Sequence, residues 1–236
     1  MLDGLRTARG IVRSLWIYYG DRERSAAMDR LYRRFVRHGD LVFDIGTHVG
    51  DRIAAFRRLG ARVVAIEPQP ALVRTLKLLY GRDSEVTIEL MINIDNPTIS
   101  TVSEDFIDAA RAAPGWETQA WTKKLRVPVT SLDALISRHG VPAFIKIDVE
   151  GFEAEALAGL TCPVKALSFE FTTIQRSVAL ACVERCGALG YARFNAALGE
   201  SQTLVHADWI DGQAIARWLA QLPHEANSGD VYATQA

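Results

Sequence analysis

The chain has 236 residues, 49% of them apolar and 23% charged, which suits one domain with a large core and excludes a largely disordered chain. Twenty-seven basic against 28 acidic residues leave a formal charge of −1, which excludes the strongly basic balance of a dedicated nucleic-acid binder. No apolar run reaches the ~18 residues of an integral membrane segment, the stretch 11–19 carries Arg13 and lacks a cleavage site, and three cysteines point to a reducing cytoplasm.

Charge is uneven along the chain. Residues 1–38 carry nine arginines against Asp3, Asp21, Glu23 and Asp29, a local balance of +5. Met28, Leu31, Tyr32 and Phe35 fall at i, i+3, i+4, i+7 and predict a helix with Arg30, Arg33, Arg34 and Arg37 on its far side. The basic segment therefore reads as a solvated helix face, with a membrane surface or a partner as the other reading. The apolar run 41–46 predicts a buried strand, and Val49, Ile53, Phe56 and Leu59 a helix stopped by Gly60. Residues 62–67 form a second buried strand and 71–80 a helix. Strand, helix, strand, helix with tight turns predicts a parallel α/β sheet.

Farther on, 86–94 alternates as a strand, 103–113 reads as a helix, and 115–124, with Trp116 and Trp121, as a loop or lid. Thr130-Ser131-Leu132-Asp133 is a capping signature for a helix through Arg138. Residues 143–149 predict a buried strand, 153–160 a short helix, 166–171 a strand, and 174–189 a helix with Cys182 and Cys186 in the core. A hairpin over 191–206 and a last helix holding Ile215, Trp218, Leu219 and Leu222 follow. The expected organisation is an N-terminal helical segment 1–38, one domain 39–222 and a flexible tail 223–236.

Three constellations carry chemistry. Asp44-Ile45-Gly46-Thr47-His48-Val49-Gly50 joins the first strand to its helix, where an open α/β sheet binds ligands. Its spacing misses the dinucleotide pattern G-x-G-x-x-G, because Ile53 stands where a third small residue belongs. Asp44 opposes a pyrophosphate and suits a cationic ligand end, such as the amino group of S-adenosylmethionine. Glu67, 23 residues beyond Asp44, is placed to accept ribose hydroxyls. In Phe144-Ile145-Lys146-Ile147-Asp148-Val149-Glu150-Gly151, strand alternation puts Lys146, Asp148 and Glu150 on one face, which is costly away from a site or a partner. A structural Lys146–Asp148 pair is the plainer reading of the same residues. The five histidines form no zinc-ligand spacing, and a magnesium site on Asp148 and Glu150 has only two carboxylates behind it, so no metal is assigned.

With these residues in view, the chain resembles the FkbM family of S-adenosylmethionine-dependent methyltransferases over roughly residues 38–210. The resemblance rests on 43–50, on 64–69 with its Glu-Pro, on VTSLDAL at 129–135, on FIKIDVEGFE at 144–153 and on Ser168-Phe169-Glu170-Phe171. It implies a Rossmann-like methyltransferase fold: a mostly parallel sheet with a terminal antiparallel hairpin and helices on both faces. It implies S-adenosylmethionine held by Asp44, Gly46, Thr47, His48, Gly50, Glu67, Pro68 and Gln69, with His48 acting through its backbone. Methyl transfer to a hydroxyl of a sugar, polyketide or similar metabolite would then be catalysed around Asp148, with Glu150, Glu170 and Lys146. A small-molecule or glycan acceptor, no nucleic acid and no integral membrane segment are the expected partners, and a homo-oligomer is compatible. One departure stands out: Val86-Thr87-Ile88-Glu89 runs straight into Leu90-Met91-Ile92-Asn93 where the family has a small-residue turn. A non-catalytic, methyltransferase-like interaction protein and, less favoured, a nicotinamide-dependent oxidoreductase stay open beside the enzyme.

Overall fold

In a computed structural model, residues 2–90, 92–93 and 128–235 are described. The expected helix at 103–113 and the loop holding Trp116 and Trp121 lie outside them. Two helices, α1 (Leu2–Gly20) and α2 (Arg22–Tyr32), lead in. Between them Asp21 caps α2 by accepting the Arg24 N–H at 3.0 Å. Strands β1 (Leu41–Ile45), β2 (Arg62–Ile66) and β3 (Val86–Glu89) alternate with α3 (Asp51–Arg58) and α4 (Pro70–Tyr80). A small parallel pair, β4 (Ile92–Asn93) with β5 (Val129–Thr130), stands apart. The expected strand at 86–94 is thus two strands in two sheets.

Ser131 caps α5 (Leu132–His139) through the Ala134 N–H, as the capping signature predicts. There follow β6 (Phe144–Ile147), α6 (Glu153–Ala158), β7 (Ala166–Thr172), α7 (Arg176–Ala188), β8 (Arg193–Leu198), α8 (Gly212–Gln221) and β9 (Ser228–Thr234). The main sheet runs β3-β2-β1-β6-β7-β9-β8. It is parallel from β3 to β7, and β9 pairs antiparallel with both β7 and β8. This is the Rossmann-like methyltransferase arrangement expected, with its reversed strand near one edge.

Three expectations change. The tail from 223 is not loose: after a short 3₁₀ turn (His224–Ala226) it becomes β9, seated between β7 and β8. Val231 and Ala233 join the core on one face of the sheet and Tyr232 the core on the other. Ser228, Gly229 and Asp230 read as turn residues and hid that alternation. The hairpin partner of β8 is therefore β9. Residues 203–206 contribute only an isolated bridge, Ala197 to Leu204. Nor is 1–38 a separate lead-in. Met28, Leu31, Tyr32, Phe35 and Val36 are buried in one cluster with Val42, Phe56 and Phe144, and Phe35 stacks on Phe144 at 5.1 Å.

A second cluster fills the other face, where α5, α6, α7 and α8 pack on β1, β6 and β7, with Cys182 and Cys186 fully buried in it. With both faces of the sheet covered by described residues, the carboxyl ends of the parallel strands are where an open α/β sheet takes its ligand.

Candidate active site

The turn after β1 is built by backbone geometry. Gly46 and Gly50 have φ of 84° and 85°, and His48, between them, has φ of 51°. A Cβ on Gly46 would land on the Asp148 carbonyl oxygen, so only glycine lets β1 and the end of β6 close up there. Thr47 Oγ bonds back to the Asp44 carbonyl at 3.0 Å and fixes the turn. Beyond it lies a small cavity of about 40 Å³, lined by Asp44, Gly46, Thr47, His48, Lys146 and Asp148 on one side. Tyr18, Asp51, Arg52 and Glu200 line the other.

Asp44 is 1% exposed, and neither carboxylate oxygen has a hydrogen-bond partner among the described residues. Burial pushes its pKa up to about 7, against the pull of Lys146 beside it. Lys146 is the register partner of Asp44 on β6. Its ammonium donates to Asp148 Oδ2 at 2.6 Å. Burial works against the Asp148 charge, but Lys146 outweighs it and holds the carboxyl below its usual range. The ion pair of the plainer reading exists, and both of its members line the cavity. The polar row continues across the sheet from Lys146 through Ser168 and Tyr232 to Asn195.

Glu170, from β7, closes on Asp148, and burial followed by the Asp148 charge drives its pKa well up. Carboxylate oxygens of Asp148, Glu153 and Glu170 all lie within 4.8 Å of one another. A protonated Glu170 relieves that repulsion, and a divalent cation would relieve it too.

Glu150 departs from expectation. The strand ends at Ile147, and Glu150 sits in the following turn at φ 55°, exposed, so it does not share the face of Lys146. Glu153 holds that turn by accepting the Val149 N–H at 2.9 Å and the Gly151 N–H at 3.1 Å. Glu67 does the same at the end of β2, accepting from His48 N–H and Gln69 N–H, both at 2.9 Å. Burial raises its pKa to about 8, against those two donors. Pro68 is half-buried and Gln69 exposed at the start of α4. The His48 ring meets Tyr18 edge-on at 5.3 Å, which leaves its backbone as the part engaged in the turn.

Sequence reading passed over a ring of charge across the cavity mouth. Arg24 Nη2 contacts Asp51 at 2.8 Å and Glu200 at 2.6 Å, while Arg52 contacts Asp51 at 2.6 Å and Glu200 at 3.0 Å. Arg24 hid in the basic segment read as solvated, and Asp230, register partner of Glu170, hid in the tail. The ring predicts a measurable stability term. Arg24→Ala removes two ion-pair bonds and a bond to the Tyr18 carbonyl at a side chain only 10% exposed and should cost ~1.5–3 kcal/mol. For a domain of this size that is roughly 3–12 °C in Tm by calorimetry.

Residues 44–205 match the methyltransferase FkbM domain. The chain belongs to the FkbM methyltransferase family. The family's methyl donor is S-adenosylmethionine, and Asp44 fits it: an unpartnered buried carboxylate beside a glycine turn matches a cationic amino group. Room for the adenosine is a different matter, because a cavity of about 40 Å³ holds a water or two and Tyr18 bounds it. The hexuronic acid methyltransferase AglP of Haloferax volcanii is 26% identical over 151 residues, 63% of this chain and 62% of that protein, less than two thirds of its length. A precorrin-6Y C5,15-methyltransferase structure from Geobacter metallireducens superposes at TM-score 0.47 with 10% identity, covering 90% of this chain and 87% of that one. A putative RNA methyltransferase from Pyrococcus horikoshii gives TM-score 0.47 and 11% identity over 91% and 83%. Likenesses of that size say nothing of function or substrate.

Proposed function

We propose that the protein is an S-adenosylmethionine-dependent O-methyltransferase acting on a hydroxyl of a sugar or similar metabolite. The observation that carries the reading is Asp44: a buried, unpartnered carboxylate at the carboxyl end of β1, inside the family match. Asp44 would take the cofactor's amino group, the Gly46–Gly50 backbone would pass beneath its amino-acid end, and Glu67 would hold the turn while offering its free lone pairs to the ribose. When bound, the cofactor supplies an electrophilic methyl on sulfur. This chain's part is to align the acceptor oxygen and to take its proton. Asp148 is the group for that proton: ionised, oriented by Lys146, and lining the cavity. Glu170, whose carboxyl burial and the Asp148 charge push well up, stands beside Asp148 as its neighbour from β7. Glu150 is left as a contact at the rim for the acceptor. The name of the Haloferax relative supports a sugar acceptor.

Equilibrium binding separates this reading from its rivals. Labelled S-adenosylmethionine should bind with NAD failing to compete. Binding of NAD alone would favour the oxidoreductase, and a folded protein that binds neither would favour the non-catalytic reading.

A further inference from the structure

Helix α1 has two apolar stripes. Ile11, Leu15 and Tyr18, at i, i+4 and i+7, are half-buried against the domain. Val12 and Trp16, one turn apart, point outward at 65% and 78% exposure. A hundred degrees of turn per residue places Arg9 and Arg13 along the flank of that outer stripe. Both arginines are exposed, and between Asp3 and Asp21 the helix carries no carboxylate. Next to it stands α4. Its end is tied to α1 by Tyr19 Oη and Tyr80 Oη at 2.6 Å, and it presents Leu78 at 87% exposure with exposed Arg74, Lys77 and Arg82 around it.

A soluble surface helix needs one apolar stripe, and its outer face is ordinarily polar. Here the outer stripe has no cover among the described residues, and its aromatic, aliphatic and cationic groups lie together. We propose that this face of α1, with the end of α4, docks on an anionic lipid surface. The arginines meet the headgroup charge while Trp16 and Val12 enter the headgroup–acyl boundary, where an amphipathic helix of this composition partitions. Charge decides between occupants. A second copy packed on the same face by a two-fold axis would bring Arg9, Arg13, Arg74 and Lys77 against their own kind with no acid between them, whereas an anionic surface complements every one. The solvated-face reading of the basic segment fails at Val12 and Trp16, not at the arginines. The same helix carries Tyr18 to the cavity wall, so the docked face and the candidate active site share one rigid element.

The test uses the full chain with phosphatidylcholine vesicles and with 3:1 phosphatidylcholine–phosphatidylglycerol vesicles, followed by co-sedimentation. Binding to the anionic vesicles at least tenfold tighter than to the neutral ones, weakening with added salt, is expected. The Arg9→Gln/Arg13→Gln double variant should lose a further 10- to 30-fold, the share of two cations near such a surface. Trp16→Ser should weaken binding as well, while its circular dichroism stays unchanged. The emission difference between the wild type and Trp16→Phe should shift to the blue on the anionic vesicles. Equal or undetectable binding to both vesicle types overturns the proposal. So does a Trp16 already shielded from a soluble quencher without vesicles, or a concentration-dependent dimer abolished by Trp16→Ser.

Discussion

Asp44→Asn should raise the melting temperature at pH 8 and, in the same protein, weaken S-adenosylmethionine binding by roughly 10- to 150-fold, the worth of a charge-assisted bond of ~1.5–3 kcal/mol. Both effects come from one carboxylate. Burial lifts its pKa to about 7 in the fold, against about 3.9 in an unfolded chain. Between those values the folded state holds a proton that the unfolded state has released, so stability falls as pH climbs from about 4 through 7. The asparagine variant has no charge to bury. Its Tm should match the wild type near pH 4, pull ahead as pH rises, and level off above about pH 8. The gap should stay below the full linkage value, because the new amide must also find partners. A scan of Tm against pH for the two proteins checks the sign. A constant gap at every pH would mean that the difference is packing, not charge.

The same linkage reaches the cofactor. A cationic amino group bound to Asp44 favours its ionised form, so binding near pH 6.5 should release a proton. Calorimetry in buffers of different ionisation enthalpy reads that release directly, and Asp44→Asn should abolish it. Glu67 and Glu153, each raised to about 8 by burial, add to the loss of stability as pH climbs from about 4 through 8. Among the described residues both accept from backbone N–H groups, Glu67 from His48 and Gln69 and Glu153 from Val149 and Gly151, so cofactor should move them less than Asp44.

What the sequence made legible follows from range. Strands β1, β2, β6 and β7 are short apolar runs bounded by turn residues, and each is where the runs place it. Gly46 is legible as a tight turn, because a glycine there answers to its own backbone. That its missing Cβ makes room for the Asp148 carbonyl, about a hundred positions on, is a property of the sheet. β9 escaped for a local reason: Ser-Gly-Asp opens it, and three turn formers outweigh four alternating residues. Glu150 was misplaced because period two was carried one turn past the strand's end. The Arg24–Asp51–Arg52–Glu200 ring joins three separate stretches of chain, and no spacing rule spans them.

Asp148 carries the prediction with the largest effect on turnover. Its carboxylate sits between a buried ammonium at 2.6 Å and Glu170, at the cavity, with 29% of its side chain exposed. Asp148→Asn keeps the size and removes the charge and the basicity. Loss of a positioned base should lower turnover by on the order of 10²–10⁴, with the cofactor's dissociation constant changed far less, since Asp44 and the glycine turn remain. The substitution also leaves Lys146 without its nearest counter-charge. A fully buried pair broken this way costs ~3–5 kcal/mol, and the partial exposure of Asp148, with Asp44 and Asp230 still near Lys146, brings the expectation nearer ~1–3 kcal/mol. The wild-type pair, with Asp148 depressed, contributes stability that is present above the unfolded carboxylate pKa of about 3.9 and lost as pH falls through the lower folded value. The two roles separate when Tm and turnover per folded molecule are measured on one preparation with an accepted sugar. A lower Tm with near-normal turnover leaves Asp148 as the partner of Lys146 alone and removes it as the base. A loss of turnover far beyond the unfolded fraction keeps it on Asp148. Lys146→Met sharpens the distinction: without its cation Asp148 titrates upward, so residual activity should rise with pH over a higher range than in the wild type, a shift that a purely structural pair has no means to produce.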